Sequence, residues 1–157
     1  MELEFDLSGL KALEKEMKKL SSRKIEEGFT GDHDSGLTNA SLAYLLEEGR
    51  RGTDKEPPIP SRPAFKDHLF SLLSDPLFKG VAQNTFTKYI QGSISQETFL
   101  NTIGSYLEEH HKEYMRDWLT KGSSAQHNAP LTIKKKGFDR PFVETGSLVD
   151  SVKYEVI

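Results

Sequence analysis

Apolar residues recur along most of this chain at helical spacing, and in two short stretches they alternate. Leu7, Leu10, Leu13, Met17 and Leu20 are spaced by three and four, which predicts an amphipathic helix over 8–20 with Asp6 or Ser8 as its cap. Before it, Leu3, Phe5 and Leu7 alternate with acids and predict a short strand or extended arm. Ile25 and Phe29 share one face of a predicted strand over 24–29, and a polar loop follows over 30–36. A helix is predicted over 37–48, with Thr38 as N-cap and Ala40, Ala43, Tyr44 and Leu45 or Leu46 on its buried side. Gly49 closes it, because glycine enters the left-handed region without strain.

The chain then passes through a charged loop over 50–56, expected to be mobile, and a stiff proline-rich segment over 57–63. Ser61 is the expected cap of the next helix, whose apolar face is Phe65, Leu69 and Leu72 or Leu73. That helix stops near Asp75, where Pro76 opens another with Leu77, Phe78, Val81, Ala82, Phe86, Tyr89 and Ile90 facing inward. Gly92 breaks it, and Ser93 with Gln96 fits a capping box. The longest helix is predicted from about residue 95 to about 120, roughly 39 Å at the helical rise, with Phe99, Leu100, Ile103, Leu107, His111 or His110, Tyr114, Met115 and Trp118 along one side. A short helix over 130–136 ends at Gly137. Near the C-terminus, Pro141 holds a turn, Thr145 can cap one helical turn over 146–150, and residues 151–157 alternate as a half-buried strand with Val152, Tyr154 and Val156 on one face. The pattern as a whole predicts one domain mixing helices with a little sheet.

Composition narrows the function classes. Charged residues make up 29% of the 157 and hydrophobic ones 35%, so much of the surface is solvated or faces a partner. The net charge of −3 argues against general nucleic-acid binding, which favours basic chains. With no cysteine, disulfides and thiolate metal sites are excluded. The acidic N-terminus does not read as a signal peptide, and no apolar run reaches membrane-spanning length.

Candidate chemistry is sparse. His33 sits between Asp32 and Asp34, but no second ligand pair follows at a metal-site spacing, so a polar turn is expected. His110 and His111 follow Glu108 and Glu109. Adjacent histidines diverge by about 100° on a helix, so one should face the core and one solvent, unlike the four-residue spacing of a zinc-protease helix. Lys134, Lys135, Lys136 and Arg140 form a basic patch, as do Arg50 and Arg51. A solvated surface is the default for both, then contact with an acidic neighbouring subunit, then phosphate contact. No nucleophile elbow, P-loop or dinucleotide fingerprint is present. The residues themselves therefore favour a binding or structural role over catalysis, with no catalytic, cofactor or metal residues expected.

Three segments together resemble the tail-completion, or virion-morphogenesis, proteins of the head–tail neck of tailed bacteriophages. The first is Thr38-Asn39-Ala40-Ser41-Leu42-Ala43-Tyr44-Leu45-Leu46-Glu47-Glu48-Gly49, similar to that family's short helix ending in an acid and glycine. The second is Ile59-Pro60-Ser61-Arg62-Pro63-Ala64-Phe65, similar to its I-P-A-R-P-F signature, with Ser61 for alanine and Ala64 inserted before Phe65. The third is Asn128-Ala129-Pro130-Leu131-Thr132-Ile133-Lys134-Lys135-Lys136-Gly137, followed by Arg140-Pro141-Phe142-Val143-Glu144-Thr145-Gly146-Ser147-Leu148, similar to the family's ending. Order and spacing match over roughly residues 25–157, with Phe142 where leucine is common.

The resemblance implies an α+β fold, a small antiparallel sheet packed against several helices including one long one. It implies a non-enzymatic virion protein, assembled in the host cytoplasm, that completes the tail as a ring of six copies. Its partners would be copies of itself, the head connector or adaptor, and the tail terminator, tube or sheath, with genome DNA passing through the lumen without specific binding. A head–tail adaptor or tail terminator is the nearest alternative. A metal-dependent hydrolase built on Asp32, His33, Asp34, His110 and His111, or a DNA-binding regulator, is more distant. Arg50, Arg51, Ile59, Arg62, Phe65, Lys134, Lys135, Lys136, Arg140 and Phe142 are the candidate interface residues.

Overall fold

A computed structural model of the chain describes residues 8–54, 58–122, 127–143 and 146–157. The predicted N-terminal strand or arm, the Asp6 cap, the Thr145 cap and parts of the loops over 50–56 and 123–128 lie outside these residues. The elements in order are α1 (Ser8–Ser21), β1 (Ile25–Phe29), α2 (Asn39–Glu48), α3 (Ala64–Ser74), α4 (Pro76–Ile90), α5 (Gln96–Arg116), α6 (Trp118–Lys121), α7 (Pro130–Lys136), α8 (Ser147–Asp150) and β2 (Val152–Val156). The fold is α+β: helices around one antiparallel pair of strands.

The sheet joins the two ends of the described chain. Ile25 pairs with Val156, Glu27 with Tyr154 and Phe29 with Val152. The ladder extends at one end through reciprocal Lys24–Ile157 hydrogen bonds, 2.8 and 2.9 Å. Because strand side chains alternate, these six β residues share one face. That face lies against α5, which also packs on α3 and α4 and is the hub of the fold. Gly104 makes the closest approach: a Cβ there would stand 2.2 Å from the Tyr154 ring. Glu108 fastens the same seam, accepting from the backbone N–H of Tyr154 at 3.2 Å and from Lys153 Nζ at 3.0 Å.

The buried core gathers at the C-terminal end of α5. Tyr114, Met115 and Trp118 pack with Ala64, Phe142, Leu148, Val149 and Val152. The Trp118 ring meets Phe142 edge to face, 5.4 Å between centroids.

Caps follow the sequence in part. Thr38 accepts from Ser41 N–H at 3.1 Å, as expected. Asp75 caps α4 by accepting from Leu77 N–H at 2.9 Å. Ser95, two residues later than the predicted cap Ser93, caps α5 by accepting from Thr98 N–H at 3.0 Å. The α5 helix has 21 residues, about 31 Å, rather than the roughly 39 Å predicted. The backbone leaves helical dihedrals at Asp117, φ −102° and ψ 19°, before α6 resumes.

Several residues predicted to be buried are not. Ala40 and Tyr44 on α2 are exposed, and its buried position is Asn39, whose amide donates to Thr30 O at 2.8 Å. Leu77 is 73% exposed, and of the Leu72 and Leu73 alternatives Leu72 turns inward. The stripe of α1 also stays outside: none of its residues is buried, and Leu10, Leu13 and Met17 are exposed. This helix rests on the domain through polar contacts instead. Tyr89 Oη donates to Glu16 Oε2 at 2.9 Å, and Gln96 Nε2 donates to Lys19 O at 2.9 Å. No helix among the described residues is long and apolar enough to cross a membrane.

Candidate functional site

The first two segments of the resemblance interlock. Arg50 and Ile59 exchange backbone hydrogen bonds of 2.8 and 2.9 Å, and Arg62 N–H donates to Leu46 O at 2.7 Å. Gly49 sits at the crossing with φ +74°, and a Cβ there would stand 2.7 Å from Ser61 N and 2.8 Å from Ile59 O. Both the backbone and the space demand glycine. Glu47 then does what Ser61 was expected to do. Its carboxylate accepts from the N–H groups of Phe65 and Lys66, at 3.0 and 3.2 Å, and so caps α3 from another helix. Ser61 instead donates to Glu47 O at 2.6 Å. The acid–glycine ending of α2 and the proline-rich segment thus form one joint.

The residue just before the third segment meets this joint through Arg62, which is buried and donates to His127 O at 3.4 Å. Burial pushes the Arg62 guanidinium below its ordinary range, and nearby Asp139 partly offsets this. Asp139 in turn accepts from Asn128 N–H at 2.9 Å.

The interface candidates therefore separate. Arg51, Lys134, Lys135 and Arg140 are exposed, and Arg50 is exposed on the bridged loop. Ile59 and Phe65 are half-buried. Lys136 folds back, its Nζ donating to Val143 O at 3.0 Å and to Arg140 O at 3.3 Å. Arg62 and Phe142 are buried and hold the fold, so their side chains are not part of a partner surface as expected.

A second feature is a polar cluster inside the apolar layer between sheet and helices. Glu27 stands on the inner face of β1 between Ile25 and Phe29. His68 lies on α3 one turn from Leu72, and His111 lies on α5 one turn from Met115. Both histidine side chains are fully buried and the Glu27 side chain is 6% exposed. His68 Nε2 is hydrogen-bonded to Glu27 Oε2 at 3.1 Å. His111 Nδ1 lies 3.4 Å from Glu27 Oε1, close enough for attraction but outside hydrogen-bond geometry. The His68 and His111 rings stack with centroids 4.1 Å apart, and His68 Nδ1 meets His110 Nδ1 at 3.2 Å. His110 was one of two neighbours expected to diverge between core and solvent. In fact it is half-buried and joins the cluster from the outer side.

Burial raises the Glu27 carboxyl, but its contacts with His111 and His68 outweigh this and hold it at about 2. Burial pushes His111 down, partly opposed by Glu27. His110 is also pushed down, by burial and then by His68. The cluster thus favours the charged form of Glu27, while burial disfavours charge on His111.

Beside His111 opens a cavity of about 300 Å³ lined by Phe29, Ala43, Tyr44, Phe65 and Met115 among others. The Asp32–His33–Asp34 stretch takes no part: His33 Nδ1 contacts Ser35 Oγ at 3.0 Å, and Asp32 bridges to Thr38. The hydrolase set of Asp32, His33, Asp34, His110 and His111 therefore does not form one centre. Glu27 and His68 were not among the candidates read from sequence, although each is a polar residue at an apolar position of its element's period. Comparison with protein-family models, curated proteins and solved structures yields no match.

Proposed function

We propose that this chain is a non-enzymatic structural subunit that assembles with copies of itself into a ring at the neck of a tailed phage. There it would complete the tail and join it to the head connector. The observation that carries this reading is apolar surface left uncovered on one chain. The exposed stripe of α1 is one part, and the corner where α3 meets α4 is the other, with Phe70 72%, Leu73 62% and Leu77 73% exposed. Large contiguous apolar patches on a soluble chain mark contact surfaces. Two different faces suit a ring, whose subunits meet through two unlike surfaces. The ordered likeness of three segments to tail-completion proteins names the setting, and the joint those segments build is consistent with a shared local scaffold. The net charge of −3 suits a lumen through which DNA slides without binding.

The test is mass measurement of the purified chain by light scattering and native mass spectrometry, with electron microscopy of any closed particles. A ring lost on Leu73→Glu with Leu77→Glu is the expected result. A chain that stays monomeric at all concentrations, alone and with a connector protein, would defeat the reading. A head–tail adaptor or tail terminator occupies the same stack and would differ in which virion layer it contacts.

A further inference from the structure

We propose that Glu27, His68 and His111 form a binding site for one divalent transition-metal ion of the zinc class, which clamps β1, α3 and α5 together. The donor set, two imidazoles and a carboxylate, is one that zinc accepts. One ligand atom from each residue lies within 4.8 Å of the other two. At metal–ligand distances near 2.05 Å, tetrahedral ligand atoms stand about 3.3 Å apart. His68 Nε2 stands 3.1 Å from Glu27 Oε2 and His111 Nδ1 stands 3.4 Å from Glu27 Oε1, so each imidazole is near that spacing from one of the two carboxylate oxygens.

Unpartnered atoms point the same way. Glu27 Oε1 and both ring nitrogens of His111 are buried without a hydrogen-bond partner among the described residues. Three orphaned polar atoms within one contact distance carry a large desolvation cost. A cation bound between them satisfies Oε1 and Nδ1 together. It also supplies positive charge to a carboxylate whose ion-pair partners among the described residues are histidines alone.

The surroundings support a ligand role for each side chain. His68 presents Nε2 to Glu27 while His110 holds its Nδ1, the outer contact that fixes the orientation of a metal-bound imidazole. The His68 and His111 rings are stacked nearly parallel, 5° between planes, so metal binding requires them to rotate out of the stack until both lone pairs meet at one point. The cavity that His111 lines can admit a water as fourth ligand.

The experiment uses the full chain, stripped by chelator and dialysed, and titrated with Co²⁺ as a spectroscopic stand-in and with Zn²⁺. One equivalent per chain, visible bands of four-coordinate Co²⁺, and a melting temperature raised by roughly 5–10 °C at a hundredfold excess over Kd are expected. Glu27→Gln keeps the side chain's shape and should abolish the bands. His110→Ala should weaken binding by roughly 10–100-fold, while His33→Ala and His127→Ala leave it unchanged. Wild-type chain that binds no Co²⁺ or Zn²⁺ overturns the site. So does binding that survives Glu27→Gln in a variant shown by circular dichroism to be folded, or that is lost with His33 or His127. The readout is on the single chain, so it stands or falls separately from ring assembly.

Discussion

The C-terminal end of α5 and the outward faces of α1, α3 and α4 use apolar residues in opposite ways. At the C-terminal end, Trp118, Met115, Phe142, Val149 and Val152 are buried together from three separate stretches of chain, 115–118, 142 and 149–152. On the outward faces, α1, α3 and α4 leave Leu10, Leu13, Phe70, Leu73 and Leu77 exposed, and α1 touches its neighbours through Glu16, Lys19, Tyr89 and Gln96. Both regions have amphipathic helices. Burial needs a second apolar layer in reach: the first region has the sheet and α8, whereas among the described residues nothing covers these outward side chains of α1, α3 and α4. The contrast teaches that an apolar stripe predicts a helix face, while the single chain's stability comes from the part of that face that meets something.

The sharpest way to break the contrast is to hollow out the packed end. Trp118→Ala should cost about 3–5 kcal/mol in denaturant unfolding, because the fully buried ring loses Phe142 and Tyr114 as packing partners. A loss below about 1 kcal/mol would mean the core lies elsewhere.

A smaller loss is expected at the helix–sheet seam. Gly104→Ala drives a methyl into the Tyr154 ring and should cost about 1–3 kcal/mol. Adding Tyr154→Ala should recover part of it relative to Tyr154→Ala alone, a coupling that a double-mutant cycle reads directly.

Smaller again is the joint between α2 and α3. Glu47→Ala removes the carboxylate from the first turn of α3 and should cost about 1 kcal/mol. Glu47→Gln, which keeps an acceptor but no charge, should lie between the two. Equal stability of wild type and Glu47→Ala would rule out the cap.

At the outer helices the expected effect on the single chain is least. Leu73→Glu with Leu77→Glu should change monomer unfolding by no more than about 0.5 kcal/mol, since both side chains are already in solvent. Its effect should appear in assembly alone. A monomer clearly destabilised by this pair would show that the corner is packed within one chain.

The polar cluster repeats the lesson at finer scale. Glu27 shares the inner face of β1 with Ile25 and Phe29, and His111 occupies an inward position of α5 between Leu107 and Met115. Alternation and helical period therefore mark each as a polar residue pointing inward. Nothing in the spacing reveals that they meet, because Glu27 is 41 residues from His68 and the contact depends on how β1, α3 and α5 cross. The same holds at the α2–α3 joint. Ser61 was the local choice of cap, but Glu47, 18 residues from Phe65, reaches the same N–H groups once Gly49 lets the chain cross itself.

Local rules were sufficient where a signal and its effect lie within a few residues: the Thr38 cap, the Gly49 turn, the break between α3 and α4, the stripe of α5 and the alternation of β2. These depend on dihedral preference and on side-chain period, which neighbours along the chain control. Tertiary structure alone decided the β1–β2 register, which apolar stripes are covered, and the meeting of Glu27, His68 and His111. Each of those requires elements distant in sequence to approach in one orientation, and the period of a single element carries no information about its partner.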